Sequence, residues 1–405
     1  MNDVMHSVLI VYLIKVVVLL FLVLTAVAYL VWFERKVAAH IQGRWGPYRV
    51  GPHGLLQPLA DGIKFLLKED TTPLGADRWL YFTAPLITMT LAISAIAMIP
   101  FGPAYVHIFG VATPLVVANT NVGLLVIFAM TSIGVYGVAL AGWSSNSKYS
   151  LLGGLRSSAQ MISYELSLTL SVVGILLLTG TFNLSEIIMR QDGYTWGALP
   201  KWNLLNPTFP QILGFFCYFV AAIAETNRAP FDLAEAESEI VAGYHTEYSS
   251  FKFAMFFLGE YASMITVACL ASILFLGGWL SPFPHTDAMD WTLYIPAGVL
   301  VAAGVALIID GLGHREFYAR MVLPLLGLIL GALGFLCSRP GVINDIQGPF
   351  WFLTKVLLVL FVYVWVRWTL PRFRYDQLMR FGWKVLFPVA LLNVVLTSLA
   401  VVMHK

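Results

Sequence analysis

Apolar residues run along this chain in long, nearly unbroken blocks, and polar residues collect in the short stretches between them. A helix needs about 20 apolar residues to cross about 30 Å of hydrocarbon. Blocks of that kind occupy 8–33, 79–100, 122–143, 159–179, 253–280, 351–368 and 385–403. A shorter one lies at 209–224, and less uniform ones at 291–309 and 321–337. The pattern predicts ten crossings in an all-α polytopic membrane protein, organised as a single integral membrane domain over residues 1–405.

Composition agrees. Hydrophobic residues make up 59% of the chain and charged ones 11%, with a mean hydropathy of +0.80. An ordinary soluble domain carries about 25% charged residues, so that class is excluded. The first block lacks a basic start and runs into Glu34-Arg35-Lys36 without a small-residue cleavage site, unlike a secretory signal. Ten crossings put loops 34–78, 144–158, 225–252, 310–320 and 367–384 on one side, and these hold 18 of the 24 Lys and Arg. Excess positive charge marks the cytoplasmic side.

Candidate chemistry is sparse outside the carboxylates. The net charge of +2 gives no reason to expect nucleic acid. Cys217, Cys269 and Cys337 sit singly in apolar blocks, short of the roughly four thiolates an iron–sulfur cluster takes. No His-x-x-x-His pair occurs, so no metal site is expected. There is no Gly-rich dinucleotide or P-loop fingerprint either. Redox centres and nucleotides are therefore expected in partners, with no cofactor bound by this chain.

The carboxylates stand out. Glu225, Asp232, Glu235, Glu237, Glu239, Glu247 and Glu260 place seven of the 22 acids within 36 positions, against only Arg228 and Lys252 as bases. Asp232, Glu235 and Glu239 share one face of a helix expected to start near Pro230. A solvated cytoplasmic helix is the plain reading of such a run. Three features oppose it. The block 209–224 is too short to cross alone, which leaves Glu225 at membrane depth. Ile240, Val241, Tyr244 and Tyr248 are interleaved with the acids, and Glu165 and Glu260 lie inside neighbouring apolar blocks. A charge at that depth costs at least about 2.5–3.5 kcal/mol and faces a bundle interior or wet cavity. Coupled buried carboxylates hold and pass protons near neutral pH.

Three long segments then carry a resemblance. "RAPFDLAEAESEIVAGYHTEYSSFKFAMFFLGEYA", "ERKVAAHIQGRWGPYRVGPHGLLQPLADGIKFLLKED" and "WVRWTLPRFRYDQLMRFGWK" resemble signatures of the H-subunit family of bacterial NADH:quinone oxidoreductase, the counterpart of mitochondrial subunit 1 of respiratory complex I. The resemblance covers about 8–280 and 350–402. It implies a membrane-arm subunit that forms much of the quinone chamber at the junction with the peripheral arm. Helices two to six would resemble the half-channel of antiporter-like subunits. Quinone is then the substrate, NADH, flavin and iron–sulfur clusters belong to partner subunits, and the location is the bacterial inner membrane among its lipids. The chamber residues implied are Arg35, Arg44, Asp61 and Arg367, with Phe33, Trp45 and Trp32 as wall. The proton-transfer residues implied are Glu165, Glu225, Glu235, Glu237, Glu239, Glu247 and Glu260. Residues 55–67, with Leu55, Leu56, Leu59, Ile63, Leu66 and Leu67 at helical spacing, read as an amphipathic helix at the interface.

The chain departs from the family pattern at three places. His245 and Tyr48 stand where Asn is common. Residues 282–348 add about two crossings, expected to form a peripheral hairpin away from the chamber, with Asp310 and Arg320 in its connecting loop. Two rival classes share parts of the pattern. The related subunit of a membrane-bound hydrogenase or ferredoxin-driven complex would carry weaker forms of the three motifs. A stand-alone ion transporter would show inverted repeats with broken helices, and no clear pair is present.

Overall fold

The computed structural model describes residues 2–404 apart from 104, 109–110, 196–198, 233–240, 285–286 and 315–316. Among the described residues nine helices are long and apolar enough to cross a membrane, and a tenth, Ile212–Glu225, is shorter. In chain order the helices are α1 (Asn2–Ile41), α2 (Gln57–Leu67), α3 (Arg78–Ile96), α4 (Gly123–Ser144), α5 (Lys148–Thr179), α6 (Leu184–Met189) and α7 (Ile212–Glu225). They continue as α8 (Ser250–Phe275), α9 (Ile295–Gly313), α10 (Phe317–Cys337), α11 (Pro340–Thr369), α12 (Tyr375–Phe381) and α13 (Phe387–Met403). The molecule is an all-α membrane bundle. Among the described residues the strands form two short antiparallel ladders in loops, one pairing Tyr105–Ile108 with Val111–Pro114.

Helix ends follow local chemistry. Asp77 caps α3 by accepting from the backbone N–H groups of Trp79 (3.2 Å) and Leu80 (3.5 Å). Gly180 closes α5 in the left-handed conformation, at φ +64°. Lys355 reaches from α11 to the frayed end of α8 and donates to the carbonyls of Leu276 (2.7 Å), Gly278 (2.9 Å) and Leu280 (2.7 Å). The buried amine there supplies hydrogen bonds to carbonyls that the end of a long helix leaves unpaired.

Several boundaries differ from the sequence reading, among them the starts of α5 at Lys148 and of α11 at Pro340, each eleven residues ahead of its apolar block. Glu34-Arg35-Lys36 was expected to end the first helix, but α1 runs one and a half turns further to Ile41. Ala38 and Ala39 bury there, so continued helix covers apolar surface that a loop would leave open. The stretch 375–384, expected as loop, is helical and continuous with α13 through a π-turn at Gly382–Leu386. Asp310 and Arg320 belong to α9 and α10 rather than to their connecting loop. The helix expected from Pro230 falls mainly on 233–240, outside the described residues.

The core lies between α1, α3, α4, α5, α7, α8 and α11, with Val27, Tyr164, Val172, Tyr218, Leu270, Phe352 and Tyr363 among its buried members. Lipid offers no hydrophobic drive between helices, so close backbone approach and polar contacts bind them. At Gly153 an added Cβ would lie 2.6 Å from the backbone of Gly243, so α5 seats the acidic-loop segment only because that side chain is absent. Gln211 Nε2 donates to Thr397 Oγ1 (2.8 Å) and Asn393 Nδ2 to Gln211 Oε1 (2.9 Å), pinning α7 to α13.

The loops sort to two ends. Thr71 meets Ser249, Asp77 meets Ser144, and Phe373 meets Pro230, which gathers the first, second, third and fifth cation-rich loops at one end. At the other, Lys15 donates to the carbonyl of Pro114 (2.8 Å), and Gln191 to that of Ile273 (2.8 Å).

Candidate functional site

Glu34 sits on the inward face of α1, only 4% exposed, where a lone carboxylate would be very costly. It is not alone. Arg367 of α11 donates to Glu34 Oε1, and the Tyr261 hydroxyl of α8 donates to Glu34 Oε2 at 2.8 Å. Arg228, in the turn after α7, places Nη1 4.0 Å from Glu34 Oε2 and Nη2 3.5 Å from Glu260 Oε2. Its guanidinium also lies over the Tyr261 ring, 4.2 Å from the centroid. Glu260 Oε1 accepts from the Tyr244 hydroxyl at 2.8 Å. The result is a buried row of alternating charge: Arg367, Glu34, Arg228, Glu260, closed by two tyrosine hydroxyls.

The row explains how charged residues of both signs come to be buried inside the bundle. Two arginines offset two glutamates, so the group is close to neutral, and each charge is hydrogen-bonded or paired. Tyr244 leads on to His245, whose ring is 4.9 Å away and edge-on. Burial holds the His245 pKa below the usual imidazole value, against an opposing pull from Glu260.

Next to this row the first loop folds back on α1. Asp61 of α2 accepts from Arg35 (2.7 Å) and from Gln57 Nε2 (2.9 Å). On α2 the apolar residues Leu59, Ile63, Leu66 and Leu67 are bare, as an interface-lying helix requires, whereas Leu55, expected on the same face, precedes the helix and is half-buried. Trp32 and Phe33 line an apolar cavity of about 740 Å³ that runs along α1 between α8 and α11, past Leu19, Cys269 and Leu360. Arg44 and Trp45 do not join them. Arg44 is exposed and bonds Gln42 (2.7 Å), and Trp45, 85% exposed, lines a separate open cleft with Tyr48, Arg49 and Gln57.

Deeper in the bundle, Glu165 on α5 accepts from Ser132 on α4. Glu225, buried at the end of α7, is within electrostatic reach of Glu165. Thr226 beside it shares a 2.7 Å hydrogen bond with Tyr363. Glu247 is half-buried, and its backbone carbonyl accepts from Tyr81 (2.7 Å). Glu235, Glu237 and Glu239 lie outside the described residues.

Of the residues singled out in the sequence, Arg367 and Glu260 stand in the row, Arg35 and Asp61 pair beside it, and Glu165 and Glu225 lie apart from it; Glu34 and Arg228 join the row without having been singled out. Their signal was present: Glu34 ends an apolar block, and Arg228 is one of only two bases among the clustered acids. Histidine spacing gave no metal site, yet the fold brings His53, Asp310 and His314 within 4.8 Å of one another. Through these contacts the hairpin tip touches the first loop at Tyr48 and His53.

Known proteins are similar to this chain along nearly its whole length. The family model for NADH dehydrogenase matches residues 14–398. An H subunit of NADH-quinone oxidoreductase from Solibacter usitatus is 49% identical over 399 residues, 98% of each chain. The corresponding protein of Leptospira biflexa is 45% identical over 97% of this chain and 95% of its own. That of Thermomicrobium roseum is 45% identical over 94% of this chain and 93% of its own. Identity of this order along nearly the whole length, hairpin included, leaves one conclusion: the chain belongs to the NADH dehydrogenase family, the family of the H subunits of NADH-quinone oxidoreductase.

Proposed function

We propose that this chain is the membrane-arm subunit of a proton-pumping NADH:quinone oxidoreductase that builds much of the quinone chamber and passes the coupling into the membrane through buried glutamates. One observation carries the reading. The three family motifs, far apart in sequence, converge on the buried row: Glu34 comes from the first, Arg228 and Glu260 from the second, and Arg367 from the third. Motifs that serve only their own loops would have no reason to meet.

Reduction of a quinone to a quinol takes two electrons and two protons. The electrons come from an iron–sulfur cluster of a partner subunit, and NADH and flavin are likewise bound by partners. This chain supplies position and protons. Arg35, Asp61 and Arg367 orient the quinone head, Phe33 and Trp32 wall its apolar part, and Arg44 and Trp45 stand at the exposed rim. Glu260, Glu247, Glu225 and Glu165, with Glu235, Glu237 and Glu239, form the relay. The cation-rich loops face the cytoplasm, where the peripheral arm docks, and the protein spans the bacterial inner membrane.

In membrane vesicles holding assembled enzyme, Glu260→Gln is expected to lower quinone reduction and proton pumping together, by at least about tenfold. Electron transfer from NADH to a soluble artificial acceptor should persist. Asp61→Asn should raise the quinone KM or shift inhibitor sensitivity. Wild-type quinone kinetics and pumping in assembled Glu260→Gln enzyme would remove this glutamate from the relay.

A further inference from the structure

The loop after α1 and the tip of the α9–α10 hairpin meet at a cluster of donor atoms. His53 Nε2 lies 2.5 Å from Asp310 Oδ2, and the His314 ring centroid is 5.0 Å from that of His53. The ligand atoms of all three residues fall within 4.8 Å of one another. Tyr48 closes one side, its hydroxyl 3.4 Å from His314 Nε2 and its ring edge-on to both imidazoles.

We infer that His53, Asp310 and His314 form a binding site for a divalent transition-metal ion of the zinc type, which fastens the hairpin to the first loop. Zinc takes imidazole nitrogen and carboxylate oxygen at about 2.0–2.2 Å in a tetrahedron, so its ligand atoms stand about 3.3 Å apart. The cluster is within side-chain adjustment of that spacing. Two imidazoles and one carboxylate complete three positions and leave the fourth for water. Imidazole-rich sets select zinc, copper or nickel over magnesium and calcium.

An ion pair alone accounts for His53 and Asp310, and the 3.4 Å contact with Tyr48 for one nitrogen of His314, but neither draws all three donors together. A metal uses all three. The local framework is prepared for it: Asp310 and His314 are four residues apart at the end of α9, so they share a face. His53 is held at φ +52° between Gly51 and Gly54, and its carbonyl accepts from Trp32 Nε1 at 3.3 Å. The side chains of His53 and Asp310 are 36% and 42% exposed, so an ion reaches them from water. The site is independent of the quinone reading, since none of the three residues belongs to the buried row.

The test uses the assembled, detergent-purified complex, stripped of loosely held metal and titrated with zinc ion alone by equilibrium dialysis with radiolabelled zinc. The wild type is expected to bind one more tight equivalent per complex than His314→Ala, Asp310→Asn or the double variant, whose affinity should fall at least tenfold. His314→Cys, which replaces one zinc ligand by another, should retain the equivalent and thereby separate lost ligation from misfolding. Zinc should also raise the unfolding temperature of wild type and His314→Cys but not of His314→Ala. Equal zinc stoichiometry and affinity in wild type and the double variant would overturn the proposal, as would loss of the equivalent in His314→Cys alongside normal assembly.

Discussion

Arg228 shows how one side chain decides what its surroundings are. Its side chain is only 5% exposed, and it stands between two glutamates that would repel each other without it. Breaking a buried pair of this kind by removing one partner costs about 3–5 kcal/mol, because the remaining charge is left unpaired. His245 presents the opposite case, a buried group kept neutral. Its folded pKa is lowered by burial, despite the pull of Glu260, whereas the unfolded chain takes up a proton near the ordinary value of about 6.5. The unfolded state therefore binds more protons as the pH falls through about 6.5 towards the lower folded value, and stability drops across that window. Above it the contribution is constant. Replacing His245 by the Asn common in the family should flatten the curve. The check is the unfolding temperature of the purified complex between about pH 5.5 and 7.5, wild type against His245→Asn; parallel curves would assign the acid sensitivity elsewhere.

Among the elements, the α9–α10 hairpin is the most self-contained. An added Cβ at Gly304 would sit 2.5 Å from the Gly327 carbonyl, so the two helices touch backbone to backbone through glycine. Their outer faces stay open, with Ile309, Leu325 and Phe335 exposed. The unit that can be removed is shorter than the sequence suggests. Residues 340–348 already belong to α11, and Gly348 packs against Pro103 and Trp279. Replacing 295–337 by a short polar linker should leave NADH:quinone turnover of the assembled enzyme within about twofold, because no member of the buried row lies there. Turnover lost in a fully assembled deletion would give the hairpin a part in coupling.

For the molecule as a whole, the gathering of the cation-rich loops at one end turns a charge count into a geometric statement. Tyr149, exposed, lies in the first turn of α5 at that end, and Met189, also exposed, ends α6 at the other. If the positive-inside rule sets the orientation, Tyr149→Cys should react with a membrane-impermeant maleimide only from the cytoplasmic face and Met189→Cys only from the opposite one. Labelling of sealed vesicles of both orientations measures this, and the reverse pattern would invert the topology.

Much of this architecture was readable in one dimension. The apolar blocks located each of the nine long apolar helices found among the described residues, because the cost of burying bare backbone in lipid makes length and hydropathy nearly sufficient. Acids inside those blocks drew attention to Glu165 and Glu260 because a charge in hydrocarbon is costly without a partner. Ends were harder, as at Ile41 and 375–384, where continued helix depends on apolar neighbours from elsewhere in the chain. Partners were harder still. Glu34 reads as a helix-terminal charge until α8, α11 and the turn after α7 bring Tyr261, Arg367 and Arg228 to it. Asp310 and His314 show a helical spacing, but their third donor, His53, lies 257 residues away. Hydropathy is a sum over neighbours in sequence, and so it survives in the string of letters. Pairing of charges and convergence of ligands are properties of neighbours in space, and only the packed helices create them.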